Sequence, residues 1–300
     1  MNKKILIIGG TGFIGYHLSK KCIQKGWNVT SISTHKPKKI RFISKVKYVI
    51  CDITKKKKLE KKLSKNFNFV VNLGGYVDHS DRKKTFKSHF LGVKNLASIF
   101  LNKSIQSFVQ IGSGGEYGKS KSPHKEIHKG KPISVYYKAK LLATTHLLKL
   151  NKTKKFPVSI IRLYQAYGPR QDFNRFIPII IQSCLKNKRF PCSEGKQFRD
   201  FIFVDDVVDA IIKSLKSSKA SGQIFNIGSG KPFKIKDIIK KINKKIKKGY
   251  PLYGKIKLRK DEEIKTFPSI AKAKKLINWR PKVSFQHGLQ KTINFYNSRK

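Results

Sequence analysis

The sequence predicts an α/β fold: a doubly wound parallel sheet with a smaller C-terminal α/β lobe. Short apolar runs alternate with longer segments of helical periodicity in the first half of the chain, which is typical of parallel strands joined by crossover helices. A glycine-rich run directly follows the first apolar run, and the alternation loosens after Gly168 and Pro169. We therefore expect a first domain over 1–165, with returning segments at about 200–228, interleaved with a smaller lobe over 166–300.

Six apolar runs in the first half are the expected strands of the sheet, and helical patterns follow most of them. These strands cover residues 4–8, 28–33, 47–51, 69–73, 107–111 and 158–163. In the second half we expect a helix near 176–185, a strand at 201–204, a helix from Asp205, a strand at 223–227 and three later helical stretches. Asp205 is the expected N-cap of its helix, because a carboxylate there accepts from the free N–H groups of the first turn.

Composition sets limits on the class of protein. The chain has 300 residues and a hydrophobic content of 39%, which is enough for a large core. Its four cysteines have no CxxC spacing and no companion histidine pattern, so we expect a reduced cytoplasmic protein without a metal site. The apolar stretch at 5–8 is too short for a signal peptide, and no run approaches the ~20 residues of a membrane span.

The formal net charge of +52 raises the question of nucleic-acid binding. The lysines are spread along the whole chain, and clusters such as 55–58 fall where the helical pattern predicts a solvated face. No interleaved aromatic residues accompany them. We therefore expect no specific nucleic-acid partner, although such a charge would attract an anionic substrate.

The glycine run from Gly9 to Gly15 is the first functional motif. It follows an expected strand and opens an expected helix, with glycines at 9, 12 and 15. In this context the early glycines let the backbone N–H groups around Phe13 and Ile14 approach a pyrophosphate at the helix N-terminus. The last glycine lets the helix pack closely on the strand. The run predicts a dinucleotide site.

The end of the second strand bears on which dinucleotide binds. Proteins that prefer NAD usually place an acidic residue there for the ribose 2′-hydroxyl, whereas this chain has Ser33, followed by Thr34, His35 and Lys36. Without a carboxylate to repel a 2′-phosphate, NADP(H) is favoured and NAD(H) remains possible. Asp52, after the third strand, is expected either to bind the adenine amino group or to cap the next helix.

A tyrosine and a lysine one helical turn apart indicate redox chemistry beside that site. Tyr136 has Lys140 at i+4, and Ser113 stands just past the fifth expected strand. An unperturbed tyrosine titrates near 10, and we expect the nearby ammonium to lower this pKa toward the range where acid/base catalysis works. Ser113 would hydrogen-bond the reacting oxygen. Tyr137 is the weaker candidate because it lacks a lysine at i+4.

These motifs resemble those of the extended short-chain dehydrogenase/reductases, in the sugar-nucleotide epimerase/dehydratase group. The resemblance covers nearly all of the chain and rests on residues 9–15, 51–53, 70–75, 113–118, 136–140, 162–169, 199–206, 225–228 and 279–281. It implies an NAD(P)-binding Rossmann domain and a lobe that binds a nucleotide-diphosphate sugar. It also implies a homodimer formed through helices at about 85–101 and 134–150.

The resemblance further implies individual contacts. Cofactor contacts are expected from Ile53, Leu73 and Gly74, and Lys140 is expected to reach the nicotinamide ribose as well as Tyr136. Substrate contacts are expected from Gln165, Arg199 and Arg259, although each arginine could be a surface cation in so basic a chain.

Departures from the family pattern bear on the reaction. Dehydratases of the family carry an Asp-Glu pair directly after the catalytic Ser or Thr, whereas this chain has Gly114 and Gly115, with Glu116 one step further. His89 and Gln165 each replace an asparagine that is usual in the family.

We therefore expect reduction of the C4 ketone of a dTDP- or CDP-linked 4-keto-6-deoxyhexose, with Tyr136 as proton donor. The alternatives are a 4-epimerase with tightly held NAD, and a non-catalytic NAD(P)-sensing or RNA-associated protein.

Overall fold

The protein is an α/β protein built on a seven-stranded parallel sheet, as the sequence predicts. The computed structural model describes residues 2–76, 78, 80–258 and 262–299. Its strands are β1 Lys4–Ile8, β2 Asn28–Ser33, β3 Val46–Ile50, β4 Phe69–Asn72, β5 Ser107–Ser113, β6 Val158–Leu163, β7 Gln165–Tyr167, β8 Arg189–Pro191, β9 Phe198–Phe203, β10 Ile224–Ile227, β11 Pro232–Lys234, β12 Tyr250–Leu252 and β13 Lys265–Thr266. The order across the main sheet is β10-β6-β5-β4-β1-β2-β3.

The helices connect and cover these strands. They are α1 Phe13–Gln24, α2 Lys56–Lys62, α3 Arg82–Phe86, α4 Gly92–Leu101, α5 Val135–Lys154, α6 Phe176–Leu185, α7 Val204–Lys216, α8 Ile235–Ile246, α9 Ala271–Ile277 and α10 Phe285–Asn297. A π-helical segment, Lys87–Leu91, joins α3 to α4. No helix of the described part of the chain is long and apolar enough to cross a membrane.

Strand β1 shows how the sheet separates two hydrophobic layers. Ile5 and Ile7 are buried in the cluster that contains the apolar faces of α1 and α7. Leu6 and Ile8 are buried in the other cluster, with residues of α4 and α5. Because successive side chains of a strand point to opposite faces, the continuous apolar run of β1 contributes buried side chains to both hydrophobic layers.

The second half of the chain forms a separate cluster of apolar side chains. Helices α6, α8 and α10 enclose it, together with aromatic residues of the small sheet in which β9 pairs with β7, β11 and β13. Strand β10 leaves this lobe and pairs in parallel with β6 of the main sheet. The carboxyl end of β6 therefore lies close to the start of the second lobe, and a cleft opens there.

Five strands have boundaries that differ from those expected. The fourth ends one residue earlier, at Asn72, and the strand expected at 223–227 begins at Ile224. The third strand is shifted by one residue, to Val46–Ile50, and the fifth continues to Ser113, which is its last residue rather than the first of a loop. The strand expected at 201–204 begins earlier, at Phe198, because Phe198 and Arg199 pair with β11 and β13.

The expected N-cap role of Asp205 is wrong. Helix α7 begins at Val204 with Phe203 at the N-cap and no side-chain cap, so Asp205 lies one position too late to cap it. The side chain of Asp205 is 58% exposed. Its neighbour Asp206 instead accepts backbone N–H groups of Lys282 and Val283, and its carbonyl accepts from the indole N–H of Trp279. Asp206 thus ties the C-terminal segment to α7.

Candidate active site

The glycine run forms a tight turn between β1 and α1. Gly9 has φ +76°, a left-handed conformation that favours glycine, and its N–H donates to the carbonyl of Ile32 at the end of β2. A Cβ on Gly15 would lie 2.4 Å from the carbonyl oxygen of Gly9, so the helix packs directly on the turn. A Cβ on Gly12, by contrast, would have the Gly9 carbonyl oxygen, at 3.2 Å, as its single neighbour within 4 Å.

The start of α1 fits a dinucleotide pyrophosphate. Gly12 is the N-cap of this twelve-residue helix and makes no side-chain capping bond. The N–H groups of the first turn, at Phe13 and Ile14, lie at the positive end of the helix dipole, where a pyrophosphate can accept from them. The open side of Gly12 gives the backbone the close approach that such a ligand needs.

The other expected cofactor residues gather around the same turn. A Cβ on Gly9 would lie 3.0 Å from the backbone nitrogen of Gly74, and the N–H of Leu73 donates to the carbonyl of Ile8. Ile53 packs close to Gly92 at the start of α4, and its carbonyl accepts from Asn95. These residues lie at the carboxyl ends of β1, β3 and β4, the edge where parallel sheets bind nucleotides.

Ser33 and Asp52 make local contacts in this structure. The Ser33 hydroxyl lies 3.4 Å from the backbone nitrogen of Thr11, which donates to it, so Ser33 faces the glycine turn. The Asp52 carboxylate accepts from the N–H of Thr54. Asp52 does not cap α2, whose N-cap is Lys55, so the helix-cap alternative is wrong.

Helix α5 holds the tyrosine and the lysine. Ser134 caps this helix through its hydroxyl, which accepts from the N–H of Tyr137, and thereby fixes the first turn, where Tyr136 lies. Lys140 is buried one turn later, and its ammonium donates to the carbonyl of Ile111 at 2.7 Å. The ammonium lies 5.9 Å from the centre of the Tyr136 ring.

The expected lowering of the Tyr136 pKa is not found. Burial raises the pKa of Tyr136 above its ordinary value, and Tyr137 and Glu116 add to the rise, with Arg175 opposing it. Burial also lowers the pKa of Lys140 to about 8. Lys140 points its proton at Ile111 and is itself desolvated, so it does not offset the burial of the phenol. In the free protein Tyr136 is therefore a neutral phenol.

Ser113, the last residue of β5, presents its hydroxyl to the cleft. Its oxygen accepts from the N–H of Gly115, so its own proton is available to donate to a reacting oxygen. His89, on the π-helical segment, has its ring 4.8 Å from the Tyr136 ring in an edge-to-face arrangement and lies hydrogen-bonded to the carbonyl of Tyr76. His89 is thus a direct neighbour of the tyrosine ring.

Glu116 points away from the cleft. One carboxylate oxygen accepts from the N–H of Ser113, and the other accepts from the Thr144 hydroxyl and the Arg162 guanidinium, both at 3.0 Å. Glu116 is 0% exposed and Arg162 is 4% exposed. This carboxylate is committed to a buried ion pair that holds the loop after β5, so it is not placed to act as a catalytic base.

The two glycines after Ser113 are required by aromatic neighbours. A Cβ on Gly114 would lie 2.8 Å from Cζ of Tyr164, and a Cβ on Gly115 would lie 2.1 Å from the ring of Tyr137. Each glycine leaves room for a tyrosine ring where any other residue would place a side chain. The acid pair of the family's dehydratases therefore has no counterpart at these two positions.

The cleft is a cavity of about 1090 Å³ between the two lobes. Its lining includes Ser113, Gly114, Gly115, Tyr136, Tyr137, Tyr164, His124, Gln165, Arg82, Lys119, Arg175, Arg199, Glu262 and Glu263. The structure thus brings Ser113, Tyr136, Gln165 and Arg199 to one cavity, whereas Arg259 lies outside the described residues. Arg199 is held by Glu262, with 2.7 Å between guanidinium and carboxylate.

Several lining residues were not anticipated from the sequence, among them Arg175, Tyr164 and His124. Arg175 precedes α6 and influences Tyr136, but an arginine in so basic a chain gives no distinguishing signal. Tyr164 lies within an apolar run and His124 in a lysine-rich loop, so neither suggests a site by itself. The sequence signal for Tyr164 was the glycine pair Gly114–Gly115, because two glycines next to Ser113 indicate that a bulky side chain packs against them.

Comparison with known proteins identifies relatives along the whole chain. The model of the NAD dependent epimerase/dehydratase family matches residues 5–228. A putative UDP-glucose 4-epimerase of Methanocaldococcus jannaschii is 28% identical over 97% of both chains, and CDP-abequose synthase of Salmonella muenchen is 25% identical over 98% of both. The UDP-glucuronic acid 4-epimerase of Bacillus cereus, solved with UDP-glucuronic acid and NAD, has the same fold, with a TM-score of 0.88 at 24% identity, covering 99% of this chain and 100% of that one.

Proposed function

The chain belongs to the NAD dependent epimerase/dehydratase family, and from this premise we propose that it is a nucleotide-sugar oxidoreductase that acts at C4. In this proposal it reduces the C4 ketone of a dTDP- or CDP-linked 4-keto-6-deoxyhexose. The observation that supports it best is the neutral Tyr136 beside Ser113 in a cleft whose Gly114–Gly115 pair lacks the dehydratase acids.

The residues of the cleft divide the work of reduction. Ser113 donates its free proton to the carbonyl oxygen at C4 and orients it. Tyr136 gives its phenolic proton to the same oxygen as negative charge develops there. When bound, the nicotinamide supplies the hydride that C4 accepts. Lys140, anchored at Ile111 by one of its N–H groups, would hold the nicotinamide ribose through the other two when the cofactor is bound.

The protonation state of Tyr136 suits the role of proton donor. Reduction begins from the protonated phenol, and burial keeps Tyr136 in that form across the neutral range.

NADP(H) is the cofactor that we propose, with NAD(H) as the alternative. No acidic residue stands between Asn28 and Tyr48, and the hydroxyl of Ser33 faces the glycine turn. A 2′-phosphate would meet no carboxylate at the end of β2.

A 4-epimerase is the second candidate, because a putative UDP-glucose 4-epimerase is similar to this chain over nearly its full length. An epimerase uses the same Ser113, Tyr136 and Lys140 set but withdraws the hydride first and returns it to the opposite face. It therefore keeps its cofactor through the cycle.

We also propose that two copies of the chain form a dimer through α4, α5 and the segment before them. Phe86, Leu91 and Leu142 on these helices are exposed although they are large and apolar. A helix-to-helix interface would cover them.

The test is an assay of the purified protein with dTDP- and CDP-linked 4-keto-6-deoxyglucose. Rapid consumption of NADPH, with a C4 alcohol as product, is the result we expect. Retention of NAD through purification, with no consumption of added NADPH and interconversion of UDP-glucose and UDP-galactose, would establish the epimerase instead. Absence of both activities would contradict the proposal.

A further inference from the structure

The cleft contains a hydrogen-bonded pair, Tyr164 and His124, that the reaction scheme leaves without a role. Both residues line the cavity that also contains Ser113. The Tyr164 hydroxyl lies 2.7 Å from Nδ1 of His124. Tyr164 is 8% exposed and His124 is 1% exposed, so the pair is almost wholly buried at the cavity wall.

The partner of the second ring nitrogen, Nε2, shows which group donates in this hydrogen bond. Nε2 of His124 lies 2.9 Å from the carbonyl oxygen of Ser120. A carbonyl accepts but cannot donate, so Nε2 bears the proton and donates it. In the neutral ring Nδ1 is then an acceptor, and the Tyr164 hydroxyl donates to it.

The surroundings keep both groups in these protonation states. Burial lowers the pKa of His124, and the nearby His128 and Arg162 lower it further, which leaves the ring neutral around pH 7. Burial raises the pKa of Tyr164, so its phenol keeps its proton. Because that proton is already given to His124, the Tyr164 oxygen offers only lone pairs to a ligand.

The histidine is fixed by its backbone as well. Its N–H donates to the carbonyl of Phe267, and its carbonyl accepts from the N–H of Ser269 and the side chain of Asn226. Its ring packs on the Tyr117 ring, with 4.6 Å between centroids. These contacts hold the imidazole in place. The Tyr164 hydroxyl therefore keeps donating its proton to His124 and can only accept a hydrogen bond from a ligand.

Tyr164 packs next to Ser113, the residue that we expect to hold the reacting oxygen. Its Cζ, which bears the hydroxyl, would lie 2.8 Å from a Cβ on Gly114, the residue next to Ser113. Gly114 directly follows Ser113 in the chain, and Ser113, Gly114 and Tyr164 all line the same cavity. A sugar whose O4 is held by Ser113 would therefore bring a neighbouring hydroxyl toward Tyr164.

We propose that Tyr164, with its proton held by His124, is a specificity-determining residue that accepts a hydrogen bond from a sugar hydroxyl other than O4. This inference rests on the proposed nucleotide-sugar substrate. It predicts that the protein prefers a sugar with a hydroxyl at that position over one in which the hydroxyl is missing or replaced by a group that cannot donate.

Binding measurements test this without relying on turnover. The parent ligand is whichever of UDP-, dTDP- or CDP-glucose the wild-type protein binds most tightly by calorimetry. Its analogues carry hydrogen or fluorine in place of the hydroxyl at C2 or C3. At one of these carbons, both analogues should bind the wild type about tenfold more weakly than the parent, because fluorine cannot donate.

The variant Tyr164→Phe keeps the ring against Gly114 and removes only the oxygen. It should bind the parent about tenfold more weakly than the wild type does and should no longer distinguish the parent from the two analogues. The control is Tyr117→Phe, which removes a buried hydroxyl that donates to Asn226 and does not line the cavity. This control should keep the wild-type preference.

The remaining outcomes distinguish a failure of this inference from a failure of the proposed function. Full affinity of the fluorinated analogue would show that the protein group is a donor. Equal weakening of all ligands by Tyr164→Phe would show a merely structural role. If the wild type binds none of the parent ligands, the nucleotide-sugar substrate itself is wrong, whereas selective binding without turnover would overturn the proposed reaction alone.

Discussion

In the glycine turn, main-chain atoms pack against main-chain atoms, whereas in the cavity at Ser113 aromatic rings pack against glycines. Gly15 lies against the carbonyl of Gly9, so the expected cofactor site is shaped by main-chain atoms that vary little with sequence. Gly114 instead gives room to the Tyr164 ring, a contact between side chain and backbone. From this difference we infer that the glycine turn serves a chemistry shared within the family, whereas the region around Ser113 distinguishes this chain's substrate.

The largest expected effect concerns the cavity at Ser113. Tyr136→Phe should lower kcat by about 10³-fold, because it removes the acid that protonates the C4 oxygen. Cofactor affinity should be nearly unchanged, since the dinucleotide is expected to be held at the glycine turn. Steady-state rates and NADPH fluorescence titration measure the two quantities.

Tyr137→Phe is the matched control for that variant. It removes a hydroxyl from the adjacent tyrosine of the same helix turn and keeps the ring that packs on Gly115. Its kcat should stay within about tenfold of the wild-type value. Equal losses in the two variants would contradict the assignment of the proton to Tyr136.

The second prediction concerns the free energy of unfolding and tests whether the role of Glu116 is structural rather than catalytic. Glu116→Gln should lower the free energy of unfolding by about 3–5 kcal/mol, because it leaves the buried Arg162 guanidinium without its counter-charge. Glu262→Gln is the control: it breaks the more exposed pair with Arg199, whose side chains are 14% and 26% exposed, and should cost less than about 1 kcal/mol. Denaturant unfolding measures both, and an unchanged midpoint for Glu116→Gln would refute the buried pair.

Two glycines of the turn should respond differently to the same substitution. Gly15→Ala should destabilise the fold by about 1–3 kcal/mol, because its Cβ would press on the backbone of Gly9 and Gly10. Gly12→Ala should leave stability close to that of the wild type but weaken cofactor binding, since its Cβ enters the open side expected to take the pyrophosphate. Both variants are compared by thermal unfolding and by NADPH titration. A loss of stability and a loss of cofactor affinity that occurred together in each variant would contradict this account.

The smallest expected effect is a pH dependence. Since the pKa of Lys140 is lowered to about 8, its ammonium is lost as the pH rises through that value, and NADPH affinity should fall several-fold between pH 7 and 9.5. The effect on stability has the opposite sign. Between pH 8 and 10.5 the unfolded chain holds more protons at this lysine, so its contribution to stability rises with pH.

Lys140→Met provides the comparison for that pH dependence. Its NADPH affinity should be lower than that of the wild type and should lack the fall through pH 8. A parallel fall in both proteins would assign the titration to another group.

Sequence reasoning succeeded where one residue type is required by backbone geometry or by a fixed spacing. The strands of the main sheet followed from apolar runs buried on both faces, and Gly9, Gly12 and Gly15 followed from their place between strand and helix. The position of Tyr136 and Lys140 on one helix, in a cavity shared by Tyr136 and Ser113, followed from the i+4 spacing and the order of the strands.

What the sequence could not supply depends on contacts between distant segments. Asp205 has the residue type of an N-cap, but the strand before it continues directly into the helix. The pKa of Tyr136 depends on how deeply the folded protein buries it, which no spacing encodes. Tyr164 and His124 are 40 residues apart and meet only because β6 ends beside the loop after β5.

The central claim is that the cleft transfers hydride and a proton at C4, and that with Gly114 and Gly115 in place of the dehydratase acids no carboxylate next to Ser113 abstracts a proton from C5. Turnover of dTDP- and CDP-linked 4-keto-6-deoxyglucose in D₂O, followed by NMR of the product, tests it directly for the proposed reductase. The account predicts no enzyme-dependent deuterium at C5, measured against Tyr136→Phe as the background for spontaneous exchange. Enzyme-dependent incorporation at C5 would show that a base acts there, and would contradict the assignment of Gly114 and Gly115 as the reason that this chain leaves C5 untouched.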